Sequence, residues 1–228
     1  MTSYGEEVRR LADPKLAEFN SKLNPGKEGV IGVRIPQLRA LAKRIVREDW
    51  RGFLEETPGS FEEEVLRGIV IATAPVDTEG RIRLTEDFLH YIDNWATCDT
   101  FCGSWIFPKE DSDMVWDYFA SKIGTGEEYP MRVSVVARMS LFKDRDRMLL
   151  LAEDIESHDH PGYYYRMGAA WAASMIYVRF PDIGMSMLES GRMEGWTHNK
   201  TIQKICESRQ VTDGDRSRVR ALRRRRAP

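Results

Sequence analysis

An all-α fold, arranged as a short curved solenoid of antiparallel helix pairs, is what this 228-residue sequence predicts. Three observations carry the prediction. Apolar residues recur at helical spacing along nearly the whole chain, the breaks between these stretches are short, and three stretches repeat one pattern.

The elements follow in order. A first helix is expected over 6–22. In the second, Ile35, Leu38, Leu41, Ala42, Ile45 and Val46 form one apolar stripe opposite Gln37, Arg39, Lys43, Arg44 and Arg47, so one face can be buried. Pro36 suits its first turn, where a missing N–H costs nothing. A short helix at 49–56 precedes stripes at 60–73 and 79–92, then a short helix at 95–106. Stripes at 112–122, 130–142, 145–157 and 163–179, a short helix at 182–190 and a stripe at 197–208 complete the series. Breaks rich in Gly, Pro, Asp and Asn are too short to let neighbours run parallel. The run Gly68-Ile69-Val70-Ile71-Ala72 could pass for a strand, but Glu and Arg flank it at helical spacing, so no sheet is expected.

The repeat favours an array over a bundle. Met131-Arg132-Val133-Ser134-Val135-Val136-Ala137 resembles Tyr165-Arg166-Met167-Gly168-Ala169-Ala170-Trp171, offset by 34 residues, and Leu66-Arg67-Gly68-Ile69-Val70-Ile71-Ala72 is a third copy. In each, an arginine precedes a small or β-branched apolar run. That pattern predicts a polar edge on each inner helix, directed at a shared concave face. Asp99 falls 32 residues after Arg67 and 33 before Arg132, so a carboxylate takes a place in a row of guanidiniums. The Pro/Gly-rich stretches at 24–32 and 124–130 are too short for linkers, so residues 1–228 read as one domain.

Composition bounds the function classes. With 42% apolar residues the chain can bury one continuous core. No window approaches eighteen uncharged apolar residues, and the charged segment Met1 to Arg10 lacks the apolar stretch of a signal peptide, so a soluble chain with no membrane partner and a cytoplasmic location is expected. Cys98, Cys102 and Cys206, an odd number in a chain of this size, are expected to be reduced and mostly buried. Nothing argues for an oligomer, so a monomer is the expectation. The net charge of -2 hides an asymmetry: seven arginines between Arg216 and Arg226 leave 27 basic residues against 36 acids elsewhere, about -9 against +7. A nucleic-acid partner would have to be met by a local basic surface and this tail. The tail also reads as a solvated, frayed helix end.

The residues that could carry chemistry centre on Asp93-Asn94-Trp95-Ala96-Thr97-Cys98-Asp99. Asp93 or Asn94 can cap a helix, which places Trp95 and Asp99 one turn apart on one face while Cys98, Cys102 and Trp105 take the buried side. The spacing alone leaves a second reading open, with Trp95 in the core and Asp99 an ordinary exposed acid. Lys200 and Lys204, one turn apart with Arg209 beyond, could track phosphates or form a solvated face paired with Glu207. His90 with Cys98 and Cys102 lacks the paired spacing of a zinc site, so no metal is expected. His158-Asp159-His160-Pro161 reads as a polar turn, and Tyr163, Tyr164 and Tyr165 as packing between repeats.

As a set, Gly32-Val33-Arg34-Ile35-Pro36-Gln37-Leu38-Arg39, Trp95 with Asp99, Arg132, Trp171, and the series Asn199-Lys200, Gln203-Lys204, Glu207-Ser208-Arg209 resemble the DNA alkylation repair family of alkylpurine DNA glycosylases. The resemblance spans nearly the whole chain in order and spacing. It implies a HEAT-like repeat solenoid (an α-α superhelix) whose concave face holds duplex DNA containing alkylated purines. By the same resemblance Trp95, Asp99, Arg132 and Trp171 frame the lesion. Asp99 stabilises the cationic sugar and positions water, the two indoles face the cationic nucleotide, and Arg132 holds a backbone phosphate. Arg166, Lys200, Lys204 and Arg209 join Arg132 as DNA-binding residues. No metal and no organic cofactor is implied. Two further classes stay open: a non-catalytic DNA-binding repeat protein, and a protein-interaction scaffold.

Overall fold

The computed structural model describes residues 3–224 and is helical throughout, with no strand among the described residues. The chain divides into two compact units, Met1–Val115 and Trp116–Pro228. The first holds α1 (Tyr4–Arg10), α2 (Pro14–Leu23), α3 (Ile35–Glu48), α4 (Trp50–Glu55), α5 (Phe61–Thr73), α6 (Thr78–Phe88) and α7 (Trp95–Cys102). The second holds α9 (Glu128–Leu141), α10 (Arg145–Ser157), α11 (Tyr163–Arg179), α12 (Pro181–Glu189), α13 (Gly195–Glu207) and α14 (Asp213–Ala221). The division falls inside α8 (Ser112–Ala120), where no loop signals it in the sequence.

Each unit packs every second helix side by side: α3, α5 and α7 in the first, and α9, α11 and α13 in the second, with α10 against α12. This is the layered packing of an all-α helical repeat. Leu38, Ile45, Val65, Leu66 and Val70 fill the first core. In the second, Tyr177 and Leu188 pack with Ile202, Ile205 and Val219. The middle helices α5 and α11 are buried on nearly all sides, which is why Gly68 to Ala72 and Gly168 to Ala173 are small or apolar without alternation. No helix is long and apolar enough to cross a membrane among the described residues.

Four boundaries differ from the sequence reading. The helix expected at 6–22 is two, because Asp13 accepts from the N–H groups of Lys15 (3.0 Å) and Leu16 (3.3 Å) and Pro14 takes the first helical position. The stripe at 79–92 ends as a 3-10 turn at Leu89–Tyr91, and α7 stops at Cys102, capped at Gly103. Residues 213–221, which carry Arg216, Arg218 and Arg220 of the tail, form a helix started by Thr212, so this part of the tail is not a frayed end.

The repeated arginines also differ. Arg67 and Arg132 are buried rather than lining an open face, and Arg166 is half-buried. Arg67 donates to the carbonyls of Leu54 (2.8 and 2.5 Å) and Glu56 (3.1 Å), closing the C-terminus of α4. Arg166 lies 3.9 Å from Asp159 and 3.8 Å from Glu194. Arg81, outside the repeat, closes the end of α5 through the carbonyls of Ile71 (2.7 Å) and Ala74 (2.8 Å), and burial lowers its pKa to about 10. Helix C-termini leave carbonyls unpaired and carry partial negative charge, so a buried guanidinium there satisfies both. Periodicity marks these positions as polar but does not say which carbonyls they reach.

The entry to α3 depends on Gly32, whose φ is +82°. A Cβ there would stand 2.2 Å from the Asp13 carbonyl oxygen and 2.4 Å from the Ala17 nitrogen. The buried Glu62 carboxylate accepts from the N–H groups of Ile31 (3.0 Å), Gly32 (2.7 Å) and Val33 (3.3 Å), so the turn is tied to α5. Gly32→Ala is therefore expected to cost about 2–3 kcal/mol in denaturant unfolding. A loss below about 0.5 kcal/mol would mean that α2 moves aside freely.

Candidate functional site

In the first unit, α7 begins where Asn94 accepts from the Thr97 N–H (2.8 Å) and donates to the Thr97 hydroxyl (2.9 Å). That cap sets the rotation of the helix. Thr97, Cys98, Phe101 and Cys102 go inward, and Trp95 and Asp99, one turn apart, are half-buried together. Trp95 is thus not a core residue, and Asp99 is not a freely exposed acid. Trp95 also lines an apolar cleft of about 310 Å³ with Leu16, Leu23, Val33, Phe61 and Val65. An indole beside a carboxylate at a partly open surface can stack on a planar cation while the carboxylate meets positive charge on the attached sugar.

In the second unit, Arg132 and Trp171 lie on the adjacent helices α9 and α11. Arg132 is 2% exposed and donates to the Tyr164 carbonyl (2.6 Å). A Cβ at Gly168 would meet the Arg132 side chain at 3.2 Å, so the glycine makes room for it one turn before Trp171. Such burial suits a residue that positions the α9–α11 contact better than one that holds a surface phosphate. Trp171 is half-buried. Arg166, on the same helix as Trp171, has its charge shared between Asp159 and Glu194.

The basic residues of α13 are more open. Lys200 donates to Gln203 (3.1 Å), Lys204 is half-buried one turn on, and Arg209 is exposed. Glu207 accepts from Gln203 (2.7 Å). Arg225 and Arg226 of the tail lie outside the described residues.

His198 was not legible as a feature of this region, because one histidine on a helical stripe carries no signal of its partner. It is fully buried, with Nε2 3.0 Å from the Leu222 carbonyl and Nδ1 unpartnered among the described residues. Burial pushes its pKa below the ordinary 6.5, the Leu222 carbonyl opposes this, and Arg224 adds to it. The folded-state pKa thus lies below that of the unfolded chain, so as pH falls through 6.5 the unfolded chain gains a proton that the folded one resists. Wild-type melting temperature is expected to fall more steeply from about pH 7 to about pH 5 than that of His198→Gln. Parallel profiles would remove His198 from acid sensitivity.

Cys98 and Cys102 are buried free thiols, and no group of three or more His, Cys, Asp or Glu is placed to hold a metal ion among the described residues. The family model for DNA alkylation repair enzymes matches residues 5–174, a span that includes Trp95, Asp99, Arg132 and Trp171. No curated protein matches the chain, and no solved structure does.

Proposed function

We propose, since this chain belongs to the DNA alkylation repair family, that it hydrolyses the N-glycosidic bond of purines alkylated on a ring nitrogen in duplex DNA. A DNA repair role and a DNA partner follow from the family; the bond cleaved and the lesion class are the reading offered here. The observation that carries it is the Trp95–Asp99 pair, an indole and a carboxylate one turn apart and half-buried, within the matched span.

The chemistry needs little beyond such a pair. Alkylation makes the purine cationic, so the base leaves as a neutral molecule with the electrons of the C1′–N bond. Positive charge then collects on the sugar. Asp99 stabilises that charge and orients the water whose oxygen bonds to C1′, its proton passing to solvent. Trp95 offers a ring face to the cationic nucleotide before the bond breaks, a contact worth about 0.5–2 kcal/mol. In the second unit Arg132 fixes α11, and so the position of Trp171, whose half-buried indole offers a further ring face. No general acid is required, because the leaving base already carries the charge that protonation would supply.

The test is incubation with duplex DNA methylated at purine ring nitrogens, followed by chromatography of the small-molecule fraction. Free methylpurine with matching abasic sites is the expected result. Intact methylated DNA after prolonged incubation with bound protein would replace this reading with a non-catalytic DNA-binding one.

A further inference from the structure

We propose that α13 and α14 form a basic hairpin that grips the DNA phosphate backbone, and that His198 and Asn199 clasp residues 222–224 to hold Arg220 and Arg223 in that grip. The proposal rests on the DNA partner argued above, and it concerns a region beyond the stretch matched by the family model.

Charge is the first observation. Residues 195–228 contain ten basic residues and three acids, a net +7, whereas residues 1–194 contain 24 and 33, a net -9. The three acids of the hairpin are occupied locally. Glu207 accepts from Gln203 (2.7 Å), Asp213 pairs with Arg216 (2.6 Å), and Asp215 lies 3.8 Å from Arg218. Arg209, Arg220 and Arg223 are exposed, and none of the three pairs with a carboxylate among the described residues. Uncompensated guanidiniums on the same hairpin as Lys200 meet what a phosphate backbone presents.

The clasp is the second, independent observation. The Asn199 side chain bonds both backbone groups of Arg224, donating to its carbonyl (3.0 Å) and accepting from its N–H (3.0 Å). His198 reaches the Leu222 carbonyl at 3.0 Å, and the Arg224 guanidinium donates to the Met193 carbonyl (2.8 Å). Val219 and Leu222 pack with Ile202 and Ile205 beneath. A tail needed only for its charge requires none of these bonds. They commit a buried imidazole, an amide and one arginine to fixing where the chain leaves α14, which presents Arg220 and Arg223 at set positions and lowers the ordering cost of binding.

The test measures binding to undamaged duplex by fluorescence anisotropy across a salt series, with thermal melts and base release measured on the same proteins. Arg209→Ala/Arg220→Ala/Arg223→Ala is expected to flatten the slope of log K against log salt by about 0.9 for each phosphate no longer neutralised, with affinity down at least about tenfold near physiological salt. Asn199→Ala keeps every charge, yet is expected to weaken binding about threefold to tenfold because Arg220 and Arg223 are no longer held in place. Wild-type affinity and slope in the triple variant would overturn the grip. Wild-type binding by Asn199→Ala, with the triple variant weakened, would overturn the clasp. Full base release with unchanged binding in both variants sinks this proposal alone. Weakened binding with no base release in any protein supports it and sinks the glycosylase reading alone.

Discussion

Asp99→Asn is expected to lower the release of methylpurine from duplex DNA by on the order of 10²–10³-fold while leaving duplex affinity and melting temperature where they are. The substitution keeps shape and hydrogen-bonding capacity but removes the negative charge. If the barrier falls because a carboxylate meets charge developing at C1′, the loss appears in the rate of bond cleavage and not in binding, since that charge exists only along the reaction path. Asp99 is half-buried on a helix whose opposite side is the buried one, so the amide variant leaves the core packing intact. An equal fall in binding and rate would make Asp99 a DNA-orienting residue. An unchanged rate would remove it from the chemistry.

The largest expected effect on stability lies away from that site, in the second unit. Arg138 has a fully buried side chain held by Asp154 (2.5 Å) and by the Ser134 hydroxyl (2.9 Å), and it lies over the Trp116 ring at 5.1 Å. Burial pushes its pKa down and Asp154 opposes this, but a guanidinium stays charged throughout the working range. Asp154→Ala strands that charge in the interior. Loss of one partner of a buried pair costs about 3–5 kcal/mol, and the 30% exposure of Asp154 lets water reach the gap, which argues for the lower end. A melting temperature lower by roughly 6–12 °C in calorimetry is expected. A double replacement, Arg138→Met with Asp154→Leu, removes both charges and should recover most of the loss. A drop of less than about 2 °C for Asp154→Ala would show that Ser134 and Trp116 alone satisfy the guanidinium.

These two sites show why parts of the molecule were legible in the sequence and parts were not. The stripe from Ile35 to Val46 and the capped segment after Asn94 translate directly into helices with known faces, because spacing and caps act within a turn or two. Spacing likewise put Trp95 and Asp99 one turn apart, but it left open whether that face was core or surface. Asp13-Pro14 was a readable helix start that the apolar stripe across it obscured. Residues 213–221 hid their burial because Val219 and Leu222 are the only apolar anchors among arginines. The buried polar groups were beyond local patterns altogether. Glu62, Arg67, Arg132 and Arg138 sit where a periodicity count finds only charge, and apart from Ser134, one turn before Arg138, the partners named here lie 11 to 32 residues away along the chain. Such distances are set by how helices pack, so the row of arginines could be seen in the sequence and its direction could not.

Single-turnover release of free methylpurine, measured side by side for the wild-type protein and Asp99→Asn on one methylated duplex at saturating protein, bears most directly on the central claim. Rapid release by the wild type with a rate at least about 10²-fold lower in the variant, at equal occupancy of the DNA, is the predicted result. Equal rates, or no release above the protein-free control by either, would contradict it.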